Sequence, residues 1–168
     1  NGTPHVPRRF TMSSPIVNEL LRWARSQGID IPKLLATSGI HPDDLQDPTA
    51  QHDALQVEKG ICEALAAIED PLVGLHISPK LNITALGVIG FIAQTSTTLG
   101  DLINSVVRFG NLAGDVGTPA QHHEPGCVIW TWDCHFTNPL MIRHATECIL
   151  GSWAGLLRLR QESKQSIL

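Results

Sequence analysis

The sequence contains no tyrosine, and only 5% of its residues are aromatic. It also lacks an uncharged apolar run long enough to cross a bilayer, and its first residues lack the apolar core of a signal peptide. We therefore expect a cytoplasmic protein with no membrane contact. With 42% hydrophobic and 17% charged residues, the 168-residue chain is too apolar for disorder and long enough to bury a core.

Positive charge is also scarce. The chain carries 12 Lys and Arg residues against 16 Asp and Glu residues, a net charge of −4 at pH 7 with neutral histidines. Nucleic-acid-binding domains usually present a basic face, because contacts to phosphates supply much of their affinity. The basic clusters here are Arg8–Arg9 and the pair Arg158 and Arg160, near opposite ends of the chain. We do not expect this chain by itself to contact DNA.

The cysteines do not form a metal-binding or redox motif. There are four of them, without a C-x-x-C pair: Cys62, Cys127, Cys134 and Cys148. In an intracellular chain such cysteines are expected to be reduced and mostly buried as small apolar side chains. A zinc site would draw on His122, His123, Cys127, Cys134 and His135, whose spacing lacks the close ligand pairs of structural zinc sites. We expect no metal and no other cofactor.

Helix-start signals are frequent in the first half of the chain. Ser14-Pro15 combines a hydroxyl N-cap with proline at the first helical position, and Gly28 ends that element. Asp53 is predicted to cap another helix, and Gly39 to close a short one. Beyond the first helix, the predicted elements are helices over 32–38 and 54–68, one turn at 41–45, and a helix or strand at 72–78.

The middle of the chain is apolar and carries no obvious catalytic residue. Residues 85–94 (ALGVIGFIAQ) are apolar nearly all round, which predicts a helix buried on more than one side. After a polar break comes an amphipathic helix to about residue 112, in which Asp101, Asn104 and Arg108 lie away from the apolar stripe. Such a segment either packs a core or encloses a ligand.

After residue 114 the pattern becomes that of β-strands. Residues 127–134 (CVIWTWDC) alternate and set Trp130 and Trp132 on one face, as a wall of either the core or a ligand site. Asn138-Pro139 opens a last helix, predicted to run to about Glu162. These elements predict an α+β fold, mostly helical, with a small antiparallel β-hairpin or sheet packed against long helices. We expect residues 1–14 to be a flexible lead-in and 15–168 to form a single domain.

No set of residues predicts catalysis. The chain has no G-x-S-x-G elbow, no phosphate-binding glycine loop and no H-E-x-x-H pattern. His144 and Glu147, three residues apart on the last predicted helix, could form an acid–base pair, but a surface pair or a buried histidine explains them better. We expect the chain not to be an enzyme.

Three segments together resemble a known family: DPLVGLHIS, ALGVIGFIAQTSTTLGDLINSVVRFGNL and, after a strand pair, NPLMIRHATECILGSWAGLLRL. Their order resembles the N-terminal sensor domain of AraC/XylS-type transcriptional regulators, in the arabinose-binding-like branch of the ornithine-utilisation regulator type. The matching residues are Gly74-Leu75-His76, Gly87, Gly90, Thr95, Thr98-Leu99-Gly100 and Arg108-Phe109. The chain departs from the family at Phe91 and Phe109, where tyrosine is common, and at Thr97, where proline is usual. The resemblance covers about residues 15–160.

The resemblance implies an effector-binding and dimerisation domain of a bacterial regulator. Its implied partners are a small-molecule effector of unknown identity and a second copy of the chain, with DNA contacted only by a C-terminal helix-turn-helix domain outside this chain. Because small-molecule sites are mostly apolar with few polar anchors, we predict a pocket formed by Phe91, Gln94, Arg108, Phe109, Trp130 and Trp132.

Several alternatives stay open at this point. Arg108 could pair with a carboxylate of the effector or, instead, with a surface carboxylate such as Asp101 or Glu124. The whole chain could also be a pure dimerisation module without a small-molecule ligand, or a small enzyme that uses His144 and Glu147.

Overall fold

The computed structural model describes residues 10–82, 87–112 and 114–165 of the chain. Seven α-helices lie within these ranges: α1 (Ser14–Ser26), α2 (Ile31–Ser38), α3 (Ala54–Ala66), α4 (Val73–Ile77), α5 (Val88–Thr95), α6 (Leu99–Phe109) and α7 (Pro139–Gln165). The strands form two antiparallel pairs: β1 (Thr11–Ser13) with β2 (Gln51–Asp53), and β3 (Gly117–Glu124) with β4 (Cys127–Cys134). The prediction of a mostly helical α+β fold with a small antiparallel hairpin is confirmed.

The described chain begins with β1, which leads directly into α1. Thr11–Ser13 pairs with β2, so these residues of the expected flexible lead-in are part of the fold, whereas residues 1–9 lie outside the described residues. The prediction that Ser14 caps α1 is wrong, because the N-cap is Ser13. The buried Ser14 hydroxyl instead donates to the Asp44 carbonyl (3.1 Å) and lies 2.8 Å from His52 Nε2. Tertiary partners have replaced the local cap.

Local capping determines where three other helices begin. The Asp53 carboxylate accepts two backbone N–H groups at the start of α3, as predicted. Asp30 accepts a backbone N–H of α2, which begins one residue earlier than predicted, and Gly39 ends that helix in the left-handed conformation. Thr98 and Asp101 form a capping box at the start of α6. The ambiguous segment at 72–78 is helical, as α4 followed by a short 3-10 turn.

One apolar core joins α1, α2, α3, α4 and α7, with buried members that include Val17, Trp23, Leu34, Val57, Ile61, Val73, Ile77 and Met141. No described residue of α5 or α6 belongs to this core. The prediction that the segment 85–94 is buried on more than one side is wrong for the residues described. Phe91 is 67% exposed, and burial in α5 is confined to Gly90 and Ile92. The physical reason is that α5 packs on α6 and on the turn Gly110–Leu112, which leaves its other side open.

The β3–β4 hairpin connects α6 with the core. Its register pairs Gln121 with Trp130, and the Gln121 amide donates to the side chain of Asn104 on α6 (3.0 Å). Just before β3, the Asp115 N–H donates to the carbonyl of Thr11 in β1 (2.7 Å). The hairpin is thereby attached at one end to α6 and at the other to the N-terminal strand pair.

Candidate ligand cavity

An apolar cavity of about 130 Å³, the central cavity, lies between α1, α3, α4, α7 and the end of β4. Its wall includes Trp23, Ile61, Ile77 and Trp132, from four elements that are distant in sequence. The surface of this wall is almost entirely apolar. Small-molecule sites have this character, although most of them are larger, at about 300 Å³ or more.

α7 contributes one continuous face to the central cavity. Its wall residues are Met141, His144, Ala145, Cys148 and Ile149. The spacing of i, i+3, i+4, i+7 and i+8 brings them to the same side of a helix. Any molecule that occupies the cavity therefore contacts α7 directly.

A buried carboxylate from α3 holds the start of α7. Glu58 is only 5% exposed, and its Oε1 accepts the backbone N–H groups of Thr137 (2.8 Å) and Asn138 (2.7 Å). Its Oε2 accepts the Thr137 hydroxyl (2.9 Å). A negative charge at a helix N-terminus satisfies N–H groups that lack intrahelical partners and interacts favourably with the helix dipole. Glu58 thus fixes α7 to one wall of the central cavity.

α4 holds the middle of the same helix. A Cβ at Gly74 would overlap the carbonyl oxygen of His144, so the two backbones meet at a distance that only glycine permits. The Arg143 guanidinium donates to the Pro71 carbonyl (2.9 Å), just before α4. α7 is therefore anchored by α3 just before the cavity face and by α4 within that face.

Apart from the Cys148 thiol, the described wall has two ionisable side chains, and Glu19 is one of them. Its carboxylate accepts from the Arg22 guanidinium and from the backbone N–H of Asn82 (3.0 Å). The Arg22 hydrogen bond, helped by Asn82, lowers the pKa of Glu19 below its usual value, although burial acts in the opposite direction. Glu19 is therefore ionised at neutral pH, and its charge is already balanced inside the protein.

His144 is the second ionisable side chain of this kind in the described wall, and it is 6% exposed. Its Nδ1 lies 3.2 Å from Glu147 Oε2 and 3.4 Å from the Gly74 N–H. One ring nitrogen cannot donate to the carboxylate and accept the amide proton at once, so the tautomer decides which bond forms. The predicted proximity of His144 and Glu147 is confirmed, but Arg143 Nε also donates to that carboxylate (3.0 Å). The pair is thus part of a charge-balanced group on α7.

The six predicted ligand residues do not meet at one place. Trp132 lines the central cavity, and its ring lies so close to Gly117 that a side chain there would overlap it. Trp130 packs edge-on against Trp153 of α7, with 4.9 Å between ring centroids. The Trp130 indole N–H is buried and has no hydrogen-bond partner within the described ranges.

Phe91, Gln94, Arg108 and Phe109 belong to α5 and α6 and are exposed, outside the described wall of the central cavity. The Arg108 guanidinium lies over the Phe109 ring, 5.1 Å from its centroid. Asp101, its alternative ion-pair partner, accepts the Thr98 hydroxyl (2.6 Å) in the capping box. A role of these four residues in ligand binding stays a prediction.

Sequence reasoning missed Glu58 and most of the cavity wall. For Glu58 a signal was present, since it lies three residues before Ile61 and seven before Leu65, within the apolar stripe of α3. A charged residue in such a stripe is usually buried only with a partner. The wall itself gave no comparable signal, because its members look like ordinary core residues.

The cysteines of the described chain are free. Cys148 lines the cavity, and burial raises the pKa of its thiol to about 12, so that it is a neutral, apolar part of the wall. Cys127 is exposed, whereas Cys62 and Cys134 are half-buried. Within residues 10–82, 87–112 and 114–165, no three His, Cys, Asp or Glu side chains are grouped so as to hold a metal ion.

Two larger depressions, of about 370 Å³ each, lie on the surface beside α1 and the turn Pro42–Gln46. Both include Asn18, Leu45 and Gln46 in their lining. They are more open to solvent than the central cavity and would bury less of a ligand, so we take the central cavity as the candidate site.

Comparison with known proteins identifies the family. Residues 28–164 match the family model described as the arabinose-binding domain of AraC transcription regulators, N-terminal. An uncharacterized HTH-type transcriptional regulator of Mycobacterium bovis is 27% identical over 108 residues, which are 62% of this chain and 31% of that regulator. The ornithine utilization regulator of Pseudomonas aeruginosa is 24% identical over 95 residues, 56% of this chain and 28% of that protein. The chain thus matches less than a third of the length of these relatives.

These matches define the class as a regulatory domain of a transcription regulator. More particularly, the chain belongs to the family of N-terminal arabinose-binding domains of AraC transcription regulators, and the family predicted from its motifs is confirmed. Of the helices in the described ranges, none has the combination of length and apolarity that a bilayer span requires.

Proposed function

We propose that this chain is the effector-binding and dimerisation domain of a cytoplasmic AraC-type regulator, and that the effector occupies the central cavity. The observation that carries this proposal is the cavity face of α7, from Met141 to Ile149, which an occupant touches directly. DNA is contacted by a helix-turn-helix domain of the same regulator, as the class name of the Mycobacterium bovis relative suggests.

The proposed mechanism is a shift between two arrangements of α7. An effector changes such an equilibrium only if it binds one arrangement better than the other. Glu58 holds α7 just before its cavity face, and α4 contacts α7 at His144, within that face. Filling the cavity changes the packing of that face while the hydrogen bonds to Glu58 hold the start of α7. The two arrangements therefore differ in the part of α7 that follows the face.

A compound screen with two matched variants tests this function. Ala145 lines the cavity, and Ala145→Leu fills part of it, whereas Ala154→Leu adds the same side chain at an exposed position of the same helix. Thermal unfolding is followed for all three chains against sugars, amino acids, organic acids and aromatic compounds. We expect a compound that raises the midpoint of the wild-type and Ala154→Leu chains but not that of Ala145→Leu.

Dimerisation without a ligand is the second candidate function. Exposed apolar side chains on α5, α6, the turn after α6 and β4 favour it: Phe91, Phe109, Leu112, Val128 and Ile129. A stable dimer by light scattering, together with no shift from any compound in the screen, would replace effector binding with this function. Turnover of a bound compound that Glu147→Gln abolishes would instead favour the enzyme alternative.

A further inference from the structure

The central cavity is an apolar space within the core that is partly open to solvent. Protein interiors are packed about as densely as organic crystals, and few internal spaces exceed the size of a water molecule. The apolar wall around this space of about 130 Å³ has fewer van der Waals contacts than a filled core would have. An occupant that fits restores those contacts and thereby binds.

The size of the central cavity limits the part of a ligand that lies within it. An engineered apolar cavity of about 150 Å³ stays dry and takes up benzene or xenon. The present volume is close to that value and well below the range of ordinary metabolite pockets. It therefore suits a single aromatic ring or a short branched hydrocarbon group.

The chemistry of the wall narrows the choice further. The Glu19 carboxylate already accepts from Arg22 and Asn82, and Cys148 is neutral. His144 is then the described wall residue left for a polar contact, and its Nδ1 already faces Glu147 and Gly74. A sugar would bury several hydroxyls with no partners, and each such hydroxyl opposes binding. An amino acid that lay wholly within the cavity would in addition bury two charges without matching ones.

From size and wall chemistry together, we infer that the central cavity binds a compact, uncharged apolar molecule, such as a small aromatic hydrocarbon, and excludes sugars and amino acids. This inference rests on the proposed function and specifies the chemical class of its effector. The occupant is held by Trp23, Ile61 and Trp132 on one side and by the α7 face on the other.

Toluene and L-arabinose are the probes that test the inference. With toluene at about ten times its dissociation constant, the unfolding midpoint of the wild-type chain is expected to rise by about 3 to 5 °C. L-Arabinose at the same concentration is expected to leave it unchanged. Ala145→Leu is expected to weaken toluene binding by about tenfold or more, and Ala154→Leu by less than about twofold. Ala145→Val, a smaller addition to the wall, gives an intermediate loss if Ala145→Leu does not fold.

Each other outcome overturns the inference in a different way. Equal toluene binding by wild type and Ala145→Leu would show that the apolar site lies elsewhere. A midpoint that L-arabinose raises in the wild type and not in Ala145→Leu would reject the ligand class while leaving effector binding in the cavity intact. Failure of toluene to bind the wild type also rejects the ligand class, and the compound screen then decides the proposed function separately.

Discussion

Two regions of this domain contrast in the way they are packed. α1, α2, α3, α4 and α7 share one continuous core with fully buried residues such as Val17 and Val57. α5 and α6 contribute no described residue to that core, and several of their apolar side chains are exposed: Phe91, Val107 and Phe109. α5 is more apolar in sequence than the core helices α1, α2, α3 and α7, so apolarity alone does not distinguish a core element from a surface element.

The two regions are suited to different kinds of contact, one to a ligand site and the other to another protein surface. The well-packed region encloses the central cavity and anchors α7, and can hold a site of fixed geometry. The open region is fastened to it through the β3–β4 hairpin, where Gln121 bonds Asn104. Exposed apolar surface of this kind suits contacts with another protein surface. Four predictions test the contrast, from the largest expected effect to the smallest.

The same substitution made in both regions gives the largest difference. Leu34 of α2 is 5% exposed, whereas Leu112, after α6, is 61% exposed. We expect Leu34→Ala to lower the free energy of unfolding by about 3 kcal/mol, because it leaves a cavity in the core. Leu112→Ala is expected to change it by less than about 0.5 kcal/mol. Urea unfolding measures both values, and similar losses at the two positions would contradict the contrast.

Glu58 tests how firmly the packed region holds α7. Removing its carboxylate leaves the N–H groups of Thr137 and Asn138 without their acceptor. We expect Glu58→Ala to cost about 2 to 3 kcal/mol in the free energy of unfolding. Glu63→Ala, on the exposed side of the same helix, is the control and should cost less than about 0.5 kcal/mol. Equal effects of the two substitutions would show that Glu58 does not anchor α7.

His52 makes the stability of the packed region depend on pH. Because the Ser14 hydroxyl donates its proton to the Asp44 carbonyl, His52 Nε2 donates to Ser14 as a neutral imidazole. Burial lowers the pKa of His52, an effect that the nearby Asp44 charge partly offsets. The folded chain therefore binds this proton more weakly than the unfolded chain, and its stability falls as the pH drops below about 6.5.

His52→Gln isolates this contribution, since glutamine can still donate to Ser14 but does not titrate. Urea unfolding at several pH values between about 5 and 7 should show a smaller loss of stability in the variant than in the wild type. If both chains lose the same stability over that range, other groups cause the pH dependence.

Arg108 gives the smallest expected change in stability. Arg108 is exposed, and its guanidinium lies over the Phe109 ring. We expect Arg108→Ala to alter the free energy of unfolding by less than about 0.5 kcal/mol, since exposed cation–π contacts contribute little. Binding of toluene should be unchanged, as calorimetry can show. Loss of ligand binding in Arg108→Ala would move the site to the open region, where the sequence predicted it.

Much of the fold could be predicted because its signals are local. Asp53 caps α3 as predicted, because its carboxylate lies only two or three residues from the unpaired N–H groups that it accepts. The alternation of residues 127–134 likewise specified β4. The family was recognised for the same reason, since its motif residues lie close together in sequence.

The candidate site could not be predicted, because it depends on packing between distant elements. The central cavity exists because Trp23, Ile77 and Met141 do not fill the space where their elements meet, and no short segment records that misfit. The burial of Glu19, by contrast, had a local signal in the sequence. Glu19 lies three residues after Ile16 and four before Trp23, and a carboxylate in that apolar stripe indicates a buried charge with a partner. Which face of α5 is covered also depends on neighbours that the local pattern does not contain.

The length of α7 determines how far its end moves when the helix tilts. A helix of 27 residues is about 40 Å long, and about 24 Å of it extends beyond the last residue that lines the cavity. If α7 tilts by about 5° about its contacts with Glu58 and α4, its far end moves by about 2 Å. Helix shifts in allosteric proteins are of this size. In the proposed mechanism, α7 carries a change of packing around a few atoms at the cavity to the far end of the helix.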